Sequence, residues 1–265
     1  MITKLSSIAE KMASPKGITK KEFLKGCFES SLIVDESEYD LAIEYINNAG
    51  ITTVEKDDKI FSKTRFTDYK DETFCIVDIE TNGNSPQNDQ IIELGAIKYK
   101  NGKVIDRFES FVYCNFVPDY IQKITHISQN DLIGAPKLKD ILSIFKRFIA
   151  NSVFIAHNVR FDYNFISGSL QKYGFEELLN RRLCTIALAK KTIESEKYGL
   201  SYLKEQLHID TGDHHRAYAD ALSALKIFEI SLKNIPEEVK TTEDLIEFSN
   251  PPRRKKKKQA KNQSS

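Results

Sequence analysis

The 265-residue sequence predicts a three-layer α/β domain with a mixed sheet, preceded by a small helical domain. Strand and helix patterns alternate from about residue 73 to residue 232, which favours an α/β domain over residues 69–234. Residues 1–68 instead carry helical patterns, with no strong strand until their end. At roughly 100–200 residues per domain, the length allows one medium domain and one small domain.

The composition is that of an ordinary globular protein, with 40% hydrophobic and 29% charged residues. No apolar run approaches the roughly 18 residues of a membrane span, and the first residues lack the apolar core of a secretory signal. We therefore expect a cytoplasmic protein with no membrane association. The cysteines lie far apart without a Cys-x-x-Cys pair, so neither a zinc ribbon nor a disulfide framework is indicated.

The formal net charge of +1 conceals an uneven distribution of charge along the chain. The segment RRKKKKQAK, residues 253–261, contains seven basic residues and no acidic residue, so the rest of the chain is mildly acidic. We expect residues 235–265 to form an acidic linker, ended by Pro251 and Pro252, and a basic tail disordered by self-repulsion. The tail is either a solvated terminus or a segment that attracts nucleic acid.

The first 68 residues predict three small helices and a hairpin. Apolar residues at helical spacing indicate a helix over residues 2–12. Thr19 followed by Glu22 is a capping-box pattern at the start of a second helix. A third amphipathic helix ends at residues 47–50, and a short hairpin follows around residues 56–58. This order indicates a helix-turn-helix or winged-helix-like domain.

The same block resembles the N-terminal region of bacterial primary sigma factors, in the order of its helices and in the residues EYINNAGITTVE. A helical docking or folding module is the favoured interpretation. Direct DNA binding is less favoured because the block is not strongly basic.

Residues 69–234 begin with the apolar run FCIVDIE, which is typical of a central strand covered on both faces. Two strands joined at Asn101-Gly102 form the next predicted unit, a hairpin. A helix over residues 137–149, a second buried strand VFIAHN and a helix beginning near Arg160 follow. Further helices are predicted over residues 182–192, 201–207 and 217–232.

Two carboxylates end the first buried strand. Asp78 and Glu80 are two residues apart on a strand, so their side chains project to the same face. Two like charges buried together must be paired, bound to a metal or neutralised. The alternative is that these are the first solvent-exposed residues where the strand leaves the sheet.

Two further acidic residues and a histidine follow later elements. Asp162 comes after the second buried strand, where sites form in open α/β sheets; it could equally be a first-turn aspartate that favours the helix dipole. His215 and Asp220 are five residues apart and would not share a face of one helix. We therefore expect His215 on the loop before the last helix and Asp220 in its first turns. A lone histidine there is more often structural or solvated.

The clusters together favour a site for hard divalent cations, which require oxygen ligands. Four acidic residues and one histidine lie at the ends of buried elements, and no cysteine accompanies them. Mg²⁺ or Mn²⁺ therefore fits better than zinc.

The residues DIET, HNVRFDYNF and HRAYADA resemble the three motifs of the DEDDh 3′–5′ exonucleases. This is the DnaQ-like or RNase T superfamily, which includes the proofreading epsilon subunit of bacterial DNA polymerase III. The resemblance covers about residues 74–231 and implies a ribonuclease H-like fold. It implies two Mg²⁺ or Mn²⁺ ions per site, held by Asp78, Glu80, Asp162 and Asp220. It also implies that His215 is the general base that takes a proton from the attacking water.

The resemblance further implies release of nucleoside 5′-monophosphates from the 3′ end of a single-stranded nucleic acid, with DNA favoured. Proofreading or repair beside a replicative polymerase, DNA polymerase III, would be the setting. Thr81 and Thr125 would contact the terminal nucleotide, and His157 and Asn158 would shape its pocket. The segment VPDYIQKITHIS resembles the family's substrate-contact loop, but His126 stands where the family usually has glycine.

Two other functions remain open from the sequence. One is an RNA 3′–5′ exonuclease resembling RNase T or oligoribonuclease, because both classes use the same metal site and differ around the 2′-hydroxyl. The other is an accessory subunit that binds a polymerase through an exonuclease fold.

Overall fold

The computed structural model describes residues 3–212 and 215–250. None of the helices among these residues combines the length and the apolar character that crossing a bilayer requires. The helices are α1 (Lys4–Ala13), α2 (Lys20–Glu29), α3 (Tyr39–Asn48), α4 (Asp119–Thr125), α5 (Leu138–Ile149), α6 (Val159–Lys172), α7 (Thr185–Thr192), α8 (Leu200–Gln206), α9 (Ala217–Leu232) and α10 (Thr242–Ser249). The strands are β1 (Ile18–Thr19), β2 (Thr53–Lys56), β3 (Lys59–Ser62), β4 (Phe74–Thr81), β5 (Ile91–Lys100), β6 (Lys103–Phe111), β7 (Val153–Ala156) and β8 (Arg182–Cys184).

The N-terminal block contains the three helices and the hairpin that the sequence predicted. The Thr19 side chain accepts a hydrogen bond from the Glu22 amide, and the Glu22 carboxylate accepts one from the Thr19 amide, which completes the capping box. The short strand β1 was not predicted; it joins β3 and β2 in an antiparallel sheet of order β1-β3-β2. The resemblance of this block to sigma factors stays a prediction.

The second block is built on a mixed five-stranded sheet of order β6-β5-β4-β7-β8. Strands β6, β5 and β4 are antiparallel, whereas β4, β7 and β8 are parallel. Asn101 and Gly102 join β5 to β6 with φ angles of 50° and 75°, the positive values that a tight hairpin turn favours. This architecture confirms the predicted α/β fold with a mixed sheet.

The alternation of side chains along β4 divides the core between the two faces of the sheet. Cys75, Val77 and Ile79 pack in the cluster that contains the apolar sides of α5 and α6. Phe74 and Ile76 pack on the opposite face, in the cluster formed with α7, α9 and α10. Because side chains alternate, the next residues on this second face are the two carboxylates at the end of β4.

Two elements differ from the sequence prediction. Residues 182–184 were expected to begin a helix, but they form β8, which pairs with β7 through Leu183 and Ile155. Leu183 is buried in the core of the sheet, and this pairing outweighs the local helical pattern, so α7 begins at Thr185. The short helix α4 was not predicted.

The acidic segment after residue 234 is not a linker throughout. Helix α10 begins with a capping box between Thr241 and Asp244, and it buries Leu245 and Ile246 against the sheet. The acidic residues that suggested a solvated linker instead cap this helix and form ion pairs. The predicted basic tail, residues 253–261, lies outside the described residues.

A buried ion pair connects the N-terminal block, the sheet and α10. The guanidinium of Arg181 donates to both Glu243 carboxylate oxygens at 2.7 and 2.8 Å and to Glu10 of α1 at 2.8 Å. Thr64 also donates to Glu243, at 2.6 Å. Glu243 is fully buried and the Glu10 side chain is 60% exposed, so Glu243 supplies most of the compensation for the buried arginine.

We expect Glu243→Ala to lower the free energy of unfolding by about 3–5 kcal/mol, because it leaves Arg181 buried without its main partner. The matched control is Lys226→Ala, which removes the surface pair between Lys226 and Glu229 and should cost about 1 kcal/mol or less. Urea unfolding followed by circular dichroism measures both. Equal losses in the two variants would contradict a special role for the buried pair.

Candidate active site

Asp78 and Glu80 lie at the carboxyl end of β4, on the face covered by α9. Both are half-buried, whereas Ile79 between them is buried against the opposite layer. The sequence prediction of a shared face is therefore confirmed by the packing of the strand. Their cross-strand partners on β5 are Gly95 opposite Asp78 and Glu93 opposite Glu80.

Gly95 allows the first turn of α9 to touch the sheet. A Cβ atom at this position would lie 2.3 Å from the Tyr218 backbone nitrogen and 2.4 Å from the Ala217 carbonyl carbon. Contacts this short exclude any larger side chain unless the helix moves. The glycine thus brings the amino end of α9, and Asp220 in its first turn, against the strand ends.

His215 and Asp220 occupy the positions that the sequence predicted. Helix α9 begins at Ala217, so His215 lies on the preceding loop and Asp220 in the first turn. The His215 backbone amide donates to Asp220 Oδ2 at 3.2 Å. One ligand atom each from Glu80, His215 and Asp220 can be chosen so that all three lie within 4.8 Å of one another.

Asp162 reaches the same end of the sheet from the other layer. It lies in the first turn of α6 and is 3% exposed. Because β7 runs parallel to β4, the helix that follows β7 begins at the end of the sheet where Asp78 lies. The backbone amide of Ile79 hydrogen-bonds to the Asp162 carboxylate, which places this carboxylate beside β4.

The electrostatics show that the four carboxylates converge. Burial, followed by repulsion from Asp162, Glu80 and Asp220, raises the pKa of Asp78 well above its usual range. Burial and repulsion from Asp220 raise the pKa of Glu80 to about 8. Burial raises the pKa of Asp162 to about 7, although backbone amides oppose the shift.

A cluster of this kind fits divalent cations. Each carboxylate oxygen is a hard ligand, and a bound cation would remove the repulsion that raises the pKa values of these groups. The spacing of Glu80, His215 and Asp220 is short enough for one ion to contact more than one of them. Asp78 and Asp162 would hold the ions from the remaining sides.

Sequence reasoning missed Glu93, Arg216 and their contact. Glu93 Oε1 accepts hydrogen bonds from Arg216 Nε at 3.0 Å and Nη2 at 2.8 Å, and Glu93 Oε2 accepts one from the Ala217 amide at 3.0 Å. The available signal was a single glutamate inside the apolar run IIELGAI, because a buried carboxylate requires a partner.

The residues predicted to contact substrate make internal hydrogen bonds. The hydroxyl of Thr81 donates to the Gly83 carbonyl at 2.6 Å, and the hydroxyl of Thr125 donates to the Ile121 carbonyl at 3.0 Å. Both threonines are buried. Their hydroxyl oxygens keep lone pairs, so these residues hold the shape of the site more than they present free donors.

The His157 side chain, just after β7, contacts two other segments of the chain. Its Nδ1 lies 2.8 Å from the Thr185 hydroxyl, and its Nε2 lies 3.0 Å from the Tyr198 carbonyl. Burial lowers the pKa of His157 to about 4, so the ring is neutral near pH 7. It therefore connects β7 to α7 and to the segment before α8.

Asn158 and His126 both adopt the left-handed backbone conformation. Asn158 is the N-cap of α6 with φ of 76°, and asparagine tolerates this region well. His126 is the C-cap of α4 with φ of 56°. The backbone geometry for which glycine is usual is thus retained at His126, and its side chain is exposed to solvent.

The fold is that of the DnaQ-like exonucleases. The RNase_T exonuclease family model matches residues 75–228, and the chain belongs to this exonuclease family. A stretch of 164 residues, 61% of the chain, is 38% identical to DNA polymerase III PolC-type from Staphylococcus haemolyticus. This stretch spans 11% of the length of that polymerase.

Solved structures show the same fold. Exonuclease I superposes with a TM-score of 0.56 and 17% identity, covering 62% of this chain and 42% of the other. The zinc-bound complex of Escherichia coli Exonuclease I with single-stranded DNA gives a TM-score of 0.56 and 18% identity, covering 63% and 42%. These similarities confirm the ribonuclease H-like architecture that the motifs implied.

We expect the metal-free protein to lose stability as pH rises from 6 to 8. The pKa of Glu80 is about 8 in the folded chain against an ordinary 4.5, so the folded state holds a proton that the unfolded state has released. Stability therefore falls across this window, with a loss of about 5 °C in Tm. Mn²⁺ replaces the protons, so it should raise Tm more at pH 8 than at pH 6.

Differential scanning fluorimetry in EDTA and in MnCl₂ measures these shifts. In EDTA, Glu80→Gln should reduce the fall of Tm with pH. The control is Glu196→Gln, which changes an exposed glutamate outside the cluster and should leave the fall of Tm unchanged. A Tm that is flat in EDTA, with equal Mn²⁺ effects at both pH values, would contradict a clustered set of buried acids.

Proposed function

We propose that this chain is a metal-dependent 3′–5′ exonuclease that releases nucleoside 5′-monophosphates from single-stranded DNA, in proofreading or repair with DNA polymerase III. The observation that carries the proposal is the convergence of Glu80, His215 and Asp220 within 4.8 Å, together with the mutual repulsion of Asp78 and Asp162. The PolC-type relative supports the polymerase setting, and the zinc-bound complex of Exonuclease I supports a metal site that acts on single-stranded DNA.

The four carboxylates would hold two Mg²⁺ or Mn²⁺ ions. Divalent cations bound there would supply an activated water and neutralise negative charge at the scissile phosphate. Asp220 lies at the amino end of α9, where the helix dipole favours its ionised form. Asp162 lies in the first turn of α6 and Asp220 in the first turn of α9, so two helices and β4 would each contribute carboxylate oxygens.

His215 would be the general base. Its side chain is exposed and lies beside Glu80 and Asp220, so it can take a proton from the attacking water and pass it to solvent. Histidine is the side-chain type that most readily gains and loses a proton near neutral pH. No other histidine of the described residues is part of this group of ligand atoms.

The terminal nucleotide would lie against the segments that contain Thr81 and Thr125, next to the carboxyl end of β4. His157 and Asn158 would shape the pocket through the turn between β7 and α6, which also positions Asp162. DNA is the proposed substrate because the PolC-type relative is a DNA polymerase.

We expect Asp162→Asn to lower the Mg²⁺-dependent release of nucleotides from a 3′-labelled single-stranded DNA by more than about 100-fold. Loss of a residue that only orients a metal ligand typically costs 10–100-fold, so loss of a ligand should cost more. The control is Asp140→Asn, an exposed aspartate in the first turn of α5, which should keep wild-type activity.

The same assay with 5′-labelled DNA and with matched RNA tests polarity and substrate. Shortening of 5′-labelled DNA one nucleotide at a time supports attack from the 3′ end. Full activity of Asp162→Asn would remove this residue from the site, and faster digestion of RNA than of DNA would contradict the proposed substrate.

We expect His215→Ala to lower kcat by about 100- to 10,000-fold, the range for loss of a general base, while Mn²⁺ affinity changes by less than about threefold. His208→Ala is a close control because His208 is also exposed and also has a positive φ, 52° against 61° for His215. Single-turnover kinetics and Mn²⁺ titration measure the two effects. A large loss of Mn²⁺ affinity would instead identify His215 as a ligand.

A further inference from the structure

Two residues of β5 form the surface on which the amino end of α9 rests. Glu93 and Gly95 are two residues apart, so they share a face of the sheet with Ile97, which packs in the cluster that contains α9. Their cross-strand neighbours are Glu80 and Asp78. The two carboxylates of β4 therefore lie directly beside the two residues that contact the start of α9.

Glu93 also caps α9. The N-cap residue Arg216 makes no side-chain capping hydrogen bond, which leaves the first amides of the helix in need of acceptors. Glu93 accepts from the first of them, the Ala217 amide, at 3.0 Å. A carboxylate at this position is also favoured by the helix dipole.

The Arg216 side chain also binds Glu93, next to the start of α9. Its guanidinium donates three hydrogen bonds to Glu93, which together reach both carboxylate oxygens, and lies 5.0 Å from the centre of the Phe111 ring. Glu93 is 1% exposed, and the Arg216 side chain is 36% exposed. The planar fork of arginine satisfies the buried carboxylate in one orientation, which a lysine could not do.

His215 directly precedes the two residues that contact Glu93, and its backbone adopts a conformation that is unfavourable for most residues. Its φ of 61° is in the left-handed region, which is unfavourable for residues with a Cβ atom. The contacts of the two following residues with Glu93 fix the direction in which the chain leaves His215. Together with the hydrogen bond from the His215 amide to Asp220, these contacts constrain the backbone that carries the His215 ring.

We propose that Glu93 is a positioning residue, which through Arg216 and the Ala217 amide holds His215 at the nuclease centre. The inference rests on the proposed function of that centre and deepens it. Glu93 itself lies beside Glu80 on the neighbouring strand, and it acts by fixing the junction between the His215 loop and α9.

The test is Glu93→Gln, measured in the wild-type background and in the His215→Ala background at saturating Mn²⁺. Glutamine keeps the shape of the side chain but loses the charge that holds Arg216. We expect kcat on a 3′-labelled DNA oligomer to fall by about 10- to 100-fold, the effect of misplacing a catalytic group by about 1 Å, with KM within about twofold. In the His215→Ala background the same substitution should change kcat by less than about twofold, because the group it positions is absent.

The matched control is Glu109→Gln. Glu109 is an exposed carboxylate of β6 whose charge also raises the pKa of Arg216, after the larger effect of the hydrogen bonds to Glu93. Its removal changes the charge near Arg216 but leaves the hydrogen bonds of Arg216 and the Ala217 amide to Glu93 in place, so kcat should stay within about twofold of wild type. If Glu93→Gln does not fold, Arg216→Lys on the partly exposed side of the pair should give the same pattern in both backgrounds.

Equal losses of kcat from Glu93→Gln with and without His215 would overturn the inference, because a general structural defect is independent of His215. Wild-type kcat in Glu93→Gln would overturn it as well. Absence of nuclease activity in the wild-type chain would overturn the proposed function and this inference with it. An active wild type with an unaffected Glu93→Gln overturns the inference alone.

Discussion

The repulsion among four carboxylates at one end of the sheet is the constraint on which the rest of the site depends. Asp78, Glu80, Asp162 and Asp220 come from three different elements, and burial raises the pKa of the first three. A chain held together only by its apolar core would relieve this repulsion by moving one helix away. The structure instead places both helices against β4, so the four carboxylates stay close together at one end of the sheet.

Two local contacts hold those helices. Gly95 permits backbone contact between β5 and α9, and Phe165 and Ile166 of α6 pack with Val77 and Ile79 of β4. The buried charge of Glu93 is compensated by Arg216, so a fifth carboxylate near the site has a cation of its own. The buried pair of Arg181 and Glu243 connects α10 to the residue before β8, and both members also contact the N-terminal block.

Much of the site could be predicted because its residues occur in short local patterns. The alternation along β4 gave the common face of Asp78 and Glu80, and helical spacing placed His215 before α9. The contacts of Glu93 and Gly95 could not be predicted in this way, because they depend on the register between β4 and β5 and on the approach of a helix over 120 residues away. The strand β8 and the helix α10 were missed for a related reason: pairing with β7 and burial of Leu245 are tertiary effects that override local composition.

The most direct test of the central claim is anomalous diffraction from crystals of the full chain soaked in MnCl₂ with a nucleoside 5′-monophosphate. The account predicts two manganese peaks among the oxygens of Asp78, Glu80, Asp162 and Asp220, with the phosphate between the ions and His215 facing it. Manganese peaks only elsewhere on the protein, or none with the four carboxylates drawn apart, would contradict it.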